Sequence, residues 1–372
     1  MEERKKILMV TGSLRVGGME SVAMNIARYV DRNRFEINFV VYGTEIGVYE
    51  DEVRALGGEV FHLPFPREGF VKYCRALKEV INHTGPYDVV HSHSLFPSGM
   101  IMKVAYESGI PIRIAHAHTN RDDSHLNIIR RIYQRRMREY MWKYATNFFA
   151  CSNKSGNYLF QEKFKNKGFV MNNGVSTEKF MINEETKEKL RTEFGIKDEK
   201  VVGHTGRFDA VKNHSLLIDI FVSILKTGKK AKLMLIGDGP LRSSIEEKIK
   251  NYGIEDKVIL TGMRSDVPAL LSLMDVFVLP STYEGVSVSL IEAQAAGVPY
   301  VVSTTAYSDE SKVTEYGVAV DLHADVTIWR DVIIQQMKRR KFANAKKIVF
   351  EKGYDTGSVV KYVEDHYYSS VE

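Results

Sequence analysis

The segment Leu279–Ala293 carries two glutamates around the predicted start of a helix, a combination suited to phosphate and sugar chemistry. A helix that starts near Ser287 or Val288 would present unpaired backbone N–H groups and a positive dipole end, which suit a diphosphate. A carboxylate can accept two hydroxyl donors at once, so these glutamates suit the diols of a ribose or a hexose. The plain alternative is a helix N-cap beside a solvated glutamate. The candidate residues are Glu284, Gly285, Val286, Ser287, Val288 and Glu292.

Two basic residues follow the first predicted strand of the C-terminal half. Gly206 ends that strand, Arg207 comes next, and Lys212 lies five residues later at a predicted helix start. Two fixed cations can neutralise the charge that develops on a leaving diphosphate without a metal ion. An ordinary surface arginine and lysine are the alternative. Gly237 and Gly262 follow the next two predicted strands, where they could lie along the same ligand or form plain turns.

A glycine pair follows the first predicted strand of the N-terminal half and opens a helix. Gly17 and Gly18 could hold a phosphate or let an acceptor approach closely, and a flexible loop is the alternative. The loop is not a P-loop, because no Lys-Ser or Lys-Thr pair follows the glycines. It also lacks the Gly-x-Gly-x-x-Gly spacing of dinucleotide sites.

Two His-x-His pairs, His91/His93 and His116/His118, also follow predicted strands. Alternate strand residues face the same way, so each pair could reach one face of the sheet. A metal site is conceivable, but the sequence has no Asp-x-Asp motif to hold a divalent ion on a nucleotide. We therefore predict no metal. His118 is predicted to polarise or hydrogen-bond a substrate hydroxyl, and His91 and His93 are predicted to be structural.

The segment 126–145 is strongly basic, with six arginines or lysines against Glu139. It carries a charge of +5, equal to the net charge of the 372-residue chain, so the remainder sums to about zero. A general nucleic-acid binder would spread its basic surface more widely, and we expect no nucleic-acid partner. The segment is predicted to be a helix packed on the core with a solvated basic face, or one that attaches to an anionic membrane.

Short apolar runs alternate with amphipathic helical stretches along the whole chain, which predicts parallel sheets covered by helices on both faces. The pattern restarts after Gly174, so we predict two doubly wound, Rossmann-like α/β domains facing across a cleft. The predicted N-terminal domain comprises residues 1–172 and a returning C-terminal helix at about 354–372. The C-terminal domain comprises residues 173–353. Ligands of such sheets bind beyond the carboxyl ends of the strands.

The remaining composition indicates a cytoplasmic protein. No apolar stretch is long enough to span a membrane, and the first apolar run is too short for a signal peptide. The two cysteines, Cys74 and Cys151, are predicted to be free thiols in a reducing compartment. Peripheral attachment to the inner face of the membrane is compatible with the basic segment.

These motifs together resemble the family-4 glycosyltransferases, whose two-domain fold is called GT-B, and in particular bacterial capsule and exopolysaccharide transferases. The resemblance covers nearly the whole chain. It implies that Arg207 and Lys212 bind the donor diphosphate, that Glu292 binds the ribose, and that Glu284 contacts the donor sugar. It also implies that His118 lies beside the reacting sugar and that Gly17 and Gly18 line the phosphates. Many relatives have Phe-Gly or a similar pair where this chain has Val286-Ser287, so the donor sugar is left open.

The resemblance implies a transferase that moves a hexosyl or N-acetylhexosaminyl group from a nucleotide sugar, with uridine favoured as the base. The acceptor would be a hydroxyl of a glycan or a polyprenyl-linked lipid. Retention of anomeric configuration and the absence of an essential metal or other cofactor are also implied. Two alternatives remain: a sugar-nucleotide epimerase or phosphorylase on the same fold, and a non-catalytic subunit that binds nucleotide sugars.

Overall fold

The computed structural model describes residues 4–15, 17–119 and 127–368 of the chain. It divides into two compact units. The first contains the residues up to Gly174 together with those from Thr356 onward, and the second contains Val175–Asp355. None of the helices in the described ranges is both long enough and apolar enough to cross a bilayer.

The first unit is a seven-stranded parallel sheet in the order β3-β2-β1-β4-β5-β6-β7. Its strands are β1 (Lys5–Val10), β2 (Phe35–Tyr42), β3 (Val60–Leu63), β4 (Val89–Ser92), β5 (Ile112–Ala117), β6 (Asn147–Ala150) and β7 (Gly168–Val170). The helices between them are α1 (Gly18–Tyr29), α2 (Glu50–Ala55), α3 (Phe70–Thr84), α4 (Ser98–Glu107), α5 (Ile128–Tyr144), α6 (Asn153–Phe160) and α7 (Glu162–Lys167).

The second unit is a six-stranded parallel sheet in the order β10-β9-β8-β11-β12-β13. Its strands are β8 (Lys200–Thr205), β9 (Ala231–Ile236), β10 (Val258–Gly262), β11 (Val276–Leu279), β12 (Tyr300–Ser303) and β13 (Gly317–Val320). Its helices are α8 (Glu184–Glu193), α9 (His214–Leu225), α10 (Arg242–Tyr252), α11 (Val267–Leu273), α12 (Val288–Ala295), α13 (Val326–Gln336) and α14 (Ala345–Glu351). Short 3₁₀ turns in the two units lie at Pro66–Glu68, Thr177–Phe180, Glu255–Lys257, Thr304–Ala306 and Asp309–Ser311.

The last helix, α15 (Thr356–His366), returns to the first unit, as predicted. Val360 and Val363 are buried in the same apolar cluster as Ile7 and Phe35, and α15 packs against α1. The end of the chain therefore completes the core that its beginning starts.

Both sheets are buried on both faces, so their central strands are apolar rather than alternating. In each sheet the direction of strand order reverses, between β1 and β4 in the first and between β8 and β11 in the second. The loops after these strands leave from the carboxyl edge at the switch point, where ligands of such sheets bind. The candidate residues lie in these loops and in those of neighbouring strands.

Candidate functional site

The loops after β8 and β11 bring together two predicted residues that lie 72 positions apart. Lys212 Nζ lies 2.6 Å from Glu284 Oε1. The backbone N–H of Thr282 also donates to the carbonyl of Val211 at 2.8 Å, so the two loops are joined by main chain as well. The lysine and glutamate side chains are only 17% and 13% exposed. A mostly buried charge needs a partner, and here each satisfies the other.

Two glycines allow the loop after β8 to pack against the loop after β9. Gly237 has a φ of +134°, which disfavours any side chain, and a Cβ there would lie 2.1 Å from the carbonyl oxygen of Gly206. A Cβ at Gly206 would lie 3.2 Å from Lys212 Cδ. Substitution of either glycine would therefore disturb the position of the lysine or of the neighbouring loop.

Arg207 stands beside this packed region on an exposed stretch of the loop. Its guanidinium makes no ion pair or hydrogen bond with any residue that the structure describes. The same loop is held internally, because the backbone N–H of Lys212 donates to Asp209 Oδ1 at 3.2 Å. The loop is thus ordered by its own bonds while the guanidinium remains accessible to an anion.

Helix α12 begins at Val288, as predicted, with Ser287 as its N-cap residue. The Ser287 side chain does not cap the helix, and its Oγ lies 3.0 Å from Ser289 Oγ instead. The first-turn N–H groups therefore receive no acceptor from the N-cap side chain, which leaves them to water or to an anionic ligand. Val286, just before the cap, is buried, whereas Glu284 two residues earlier holds Lys212.

Glu292 lies in the second turn of α12 and is partly buried. Within the described part of the chain its carboxylate has no hydrogen-bond partner. Burial raises the pKa of Glu292 to about 7, and the charge of Lys179 opposes part of that rise. A carboxylate held in this way gains from a ligand that donates hydroxyl groups to it.

The loops after β9 and β10 are tied to each other at the same edge. The backbone N–H of Gly237 donates to the carbonyl of Gly262 at 3.0 Å, and Thr261 Oγ1 donates to the same carbonyl at 2.9 Å. The loops after β8, β9, β10 and β11 thus form one connected edge. It holds the predicted residues of that half, apart from Gly262 at the end of β10 and Val288 and Glu292 in α12.

In the first unit, α1 begins at Gly18 and Gly17 is its N-cap residue, again without a side-chain cap. A Cβ at Gly18 would meet no described atom within 4 Å, so protein packing does not require glycine there. At Gly17 a Cβ would meet only the flexible end of Glu20, whose Oε1 accepts from Ser13 Oγ at 2.9 Å. The open side of this helix start is compatible with the approach of a ligand.

Four histidines, two near the ends of β4 and β5 and two just after these strands, form one cluster at the carboxyl edge of the first sheet. The ring centroids of His91 and His93 lie 4.4 Å apart, and those of His116 and His118 lie 4.1 Å apart. His91, His93 and His116 are fully buried, and His118 is partly exposed. The burial of His91 and His93 agrees with their predicted structural role, and the exposure of His118 leaves it able to meet a substrate.

Burial keeps these imidazoles neutral. It lowers the pKa of His118 to about 3 and that of His91 to about 3, the charge of His118 adding to the effect at His91. The pKa values of His93 and His116 lie well below the ordinary value, again chiefly because of burial. A cluster of neutral rings offers hydrogen-bonding nitrogens and no charge.

Three of these rings offer nitrogen atoms within 4.8 Å of one another, namely those of His91, His93 and His116. His91 Nε2 faces His116 Nδ1 at 3.2 Å and His93 Nδ1 faces His118 Nε2 at 2.7 Å, so most of these atoms are engaged in hydrogen bonds. Among the described atoms of this cluster, only His116 Nε2 is buried without a hydrogen-bond partner. The expectation that the protein needs no metal stays a prediction.

Sequence reasoning missed a second pair of buried histidines beneath the Arg207 loop. His204 Nδ1 contacts the carbonyl of Val278 at 2.8 Å, and its ring lies 4.8 Å from that of His214. Neither ring nitrogen of His214 has a partner in the described ranges, and burial lowers the pKa of His214 to about 4. His204 stands three residues before Arg207, but nothing in the spacing shows that His214 packs against it.

The basic segment is helical, as α5, but its first turns are not packed on the core. Ile128, Ile129 and Ile132 are 75%, 74% and 65% exposed, whereas Met137 and Met141 further along are buried. Leu126, the first residue of the predicted basic segment, lies outside the described residues. The helix thus combines a core-packed end with an exposed surface that is both apolar and basic.

Two family models match the chain, one to each half. "Glycosyltransferase Family 4" matches residues 16–179, and "Glycosyl transferases group 1" matches residues 186–354. The chain is 29% identical to the putative glycosyltransferase EpsF of Bacillus subtilis, over 95% of this chain and 93% of EpsF. It is 24% identical to the capsular polysaccharide biosynthesis glycosyltransferase CapH of Staphylococcus aureus, over 90% of this chain and 92% of CapH.

A relative whose name includes a lipid-linked sugar and a solved structure extend the comparison. The chain is 25% identical to the Escherichia coli UDP-Gal:alpha-D-GlcNAc-diphosphoundecaprenol alpha-1,3-galactosyltransferase, over 77% of this chain and 76% of that protein. The fold matches Anabaena Alr3699/HepE in complex with UDP-glucose with a TM-score of 0.80, over 97% of this chain and 98% of that one. At 19% identity this second match bears on the fold alone.

Proposed function

Because this chain belongs to the family-4 glycosyltransferases, we propose that it transfers a hexosyl or N-acetylhexosaminyl group from a UDP-linked donor with retention of configuration. The acceptor in this proposal is a hydroxyl of a glycan or of a polyprenyl-linked sugar, in cell-surface polysaccharide synthesis. The observation that carries the proposal is the mostly buried pair of Lys212 and Glu284 beside the uncapped start of α12. The names of CapH and of the Escherichia coli galactosyltransferase support the acceptor class.

The donor would lie along the connected loop edge of the second unit. Arg207 and Lys212 would contact the diphosphate together with the first N–H groups of α12 and the backbone near Gly237 and Gly262. Glu292, a partly buried carboxylate without a partner in the described chain, would accept from the ribose hydroxyls. The family resemblance implies a phosphate contact for Gly17 and Gly18 as well.

The donor sugar would meet Glu284, Gly285, Val286, Ser287 and His118. In a same-face transfer, the bond from the anomeric carbon to the phosphate oxygen breaks as the acceptor oxygen attacks from the same side. The acceptor proton passes to the leaving phosphate, and Lys212 and Arg207 stabilise the charge that develops on it. A double displacement would need a free carboxylate nucleophile, and the 2.6 Å contact between Glu284 and Lys212 favours a binding role for that carboxylate instead.

Three measurements test this proposal directly. In a thermal-shift panel, UDP, GDP and ADP are tested both as free diphosphates and as nucleotide sugars. UDP and the UDP-sugars should raise the melting temperature most. NMR of the anomeric signals should show that the new glycosidic bond in the product has the same configuration as the donor. Turnover should persist in EDTA. An inverted product, or activity lost in EDTA and restored by Mn²⁺, would contradict the mechanism.

The exposed start of α5 would attach the protein to anionic membranes, where a polyprenyl-linked acceptor resides. Ile128, Ile129 and Ile132 would enter the interface while the neighbouring arginines meet lipid phosphates. Each basic residue near such a surface contributes about 1 kcal/mol. Replacing both Ile129 and Ile132 by Ser should weaken sedimentation with phosphatidylglycerol vesicles, whereas Ile328→Ser, at an exposed isoleucine of α13, should not. Equal binding to neutral and anionic vesicles would refute attachment.

A further inference from the structure

His93 lies between two atoms whose chemistry determines where its proton is. One ring nitrogen, Nε2, lies 2.9 Å from the thioether sulfur of Met9, in β1. The other, Nδ1, lies 2.7 Å from Nε2 of His118. The ring is buried and stacks on that of His91, with centroids 4.4 Å apart, while its Nδ1 edge meets the edge of the His118 ring, with centroids 4.9 Å apart. It therefore has little freedom to exchange these two contacts.

A thioether sulfur carries no hydrogen, so Met9 can only accept. With the proton on Nδ1 instead, the Nε2 lone pair would face the sulfur lone pairs at 2.9 Å, so this contact favours the tautomer in which Nε2–H donates to the sulfur. A neutral imidazole has a single N–H, so Nδ1 of His93 is left with a lone pair and accepts from Nε2–H of His118. The same reasoning applied to a neutral His118 leaves Nδ1 of that ring as an acceptor.

We propose that Met9 and His93 act as a positioning relay that fixes His118 in its Nε2–H tautomer, so that Nδ1 of His118 accepts a hydrogen bond from a hydroxyl of the sugar substrate. The relay makes His118 selective for a group that can donate. A hydroxyl fits, whereas a fluorine or a methoxy group at the same position does not. The contact with sugar rests on the proposed function, but the tautomer assignment does not.

The neighbouring pair of histidines provides an internal comparison. His91 Nε2 faces His116 Nδ1 at 3.2 Å, and His91 Nδ1 faces the hydroxyl of Tyr367 at 3.0 Å. A tyrosine hydroxyl can donate or accept, so this pair has no atom that determines its tautomer. His91, two residues earlier, is as buried as His93 and stacks on it, but it lacks the relay and therefore serves as a matched control.

The first test reads the tautomers themselves. The full chain, labelled with ¹⁵N-histidine and assigned with single His→Gln variants, should show Nε2–H on both His93 and His118 in long-range ¹H–¹⁵N spectra at neutral pH. Met9→Leu keeps the volume and removes the acceptor, and it should give a mixture of tautomers at both rings. An Nδ1–H tautomer at His118 in the wild type, or unchanged tautomers in Met9→Leu, would overturn the relay. Neither result depends on turnover, so failure of the proposed function remains distinguishable.

The second test uses kinetics. Met9→Leu and His93→Phe should lower kcat roughly two- to tenfold, as expected for one neutral hydrogen bond, with little change in the KM for the donor. His93→Gln should restore much of the rate, because its amide oxygen can accept from His118 and its NH₂ can donate to Met9. His91→Phe should lower stability without this change in kcat. Equal kinetic losses in His91→Phe and His93→Phe, or no loss in Met9→Leu, would show that the role is only structural.

Discussion

The two sheets have the same architecture, but their carboxyl edges differ in charge. The second sheet presents an ammonium paired with a carboxylate, an exposed guanidinium at Arg207 and a carboxyl at Glu292 whose pKa lies near 7. The first presents four neutral imidazoles at β4 and β5. A charged edge suits a diphosphate, and a neutral edge with fixed donors and acceptors suits hydroxyl groups. One fold thus supplies two kinds of recognition through the residues that follow its strands.

If the charged edge holds the nucleotide, the largest effect on its binding should come from Lys212→Ala. We expect the affinity for UDP to fall roughly 10- to 150-fold, since a hydrogen bond to a charged group contributes roughly 1.5–3 kcal/mol. Isothermal titration calorimetry measures this directly. Lys248→Ala is the control, because Lys248 forms a 2.7 Å ion pair with Asp219 elsewhere in the same unit. Equal losses of UDP affinity in the two variants would show that the effect is not specific to the charged edge.

The pH dependence of donor binding should also come from the charged edge, with a smaller effect on affinity than that of Lys212→Ala. Ribose hydroxyls donate to the ionised form of Glu292, so affinity for a UDP-sugar should rise by up to roughly tenfold between pH 6 and pH 8. The measurement uses a UDP-sugar because the terminal phosphate of free UDP titrates near pH 6 and would add its own pH dependence. Glu292→Gln should flatten the profile. A slope that persists in this variant would assign the titration to another group.

The same carboxyl predicts the sign of a stability change. Folding raises the pKa of Glu292 from its ordinary 4.5 to about 7, so the native state holds the proton more tightly than the unfolded state. Its contribution to the free energy of unfolding is fully present below pH 4.5 and is lost as the pH rises through 7. Urea unfolding of the ligand-free protein should show a decrease over that range that Glu292→Gln lacks. An identical pH profile in wild type and variant would contradict it.

The smallest effect on nucleotide binding is expected for His118→Ala. This residue belongs to the neutral edge, so the affinity for free UDP should stay the same while kcat falls. Calorimetry and steady-state kinetics on one preparation separate the two quantities. A loss of UDP affinity comparable to that of Lys212→Ala would mean that both edges hold the nucleotide, and the comparison would then fail.

Much of the fold follows from the sequence because buried parallel strands are continuous apolar runs. The apolar runs Val60–Leu63 and Val276–Leu279, for example, form β3 and β11. The edge strands β7 and β13 have a weaker pattern, because each begins with glycine. Their pairing depends on the neighbouring strand rather than on their own pattern.

The site was predictable where position after a strand suffices, as for Lys212 and Glu284. Their 2.6 Å contact follows from the adjacency of β8 and β11, which strand order decides and spacing does not reveal. The relay of Met9 and His93 could not be foreseen for the same reason. From the sequence, Met9 is an ordinary core residue of β1. Only the pairing of β1 with β4 brings its sulfur to the imidazole of His93. The roles of these residues in binding and turnover stay predictions.

The return of α15 to the first unit has a consequence for biosynthesis. Val360 and Val363 fill the cluster around Ile7 and Phe35, so contacts that span most of the chain are needed to finish that core. During translation the first unit must wait, with part of its apolar surface uncovered, until the residues beyond Thr356 have left the ribosome. The second unit lies between the two segments of the first unit in the sequence, so it can fold before the first unit is complete. The half of the protein that is made first is therefore the half that is completed last.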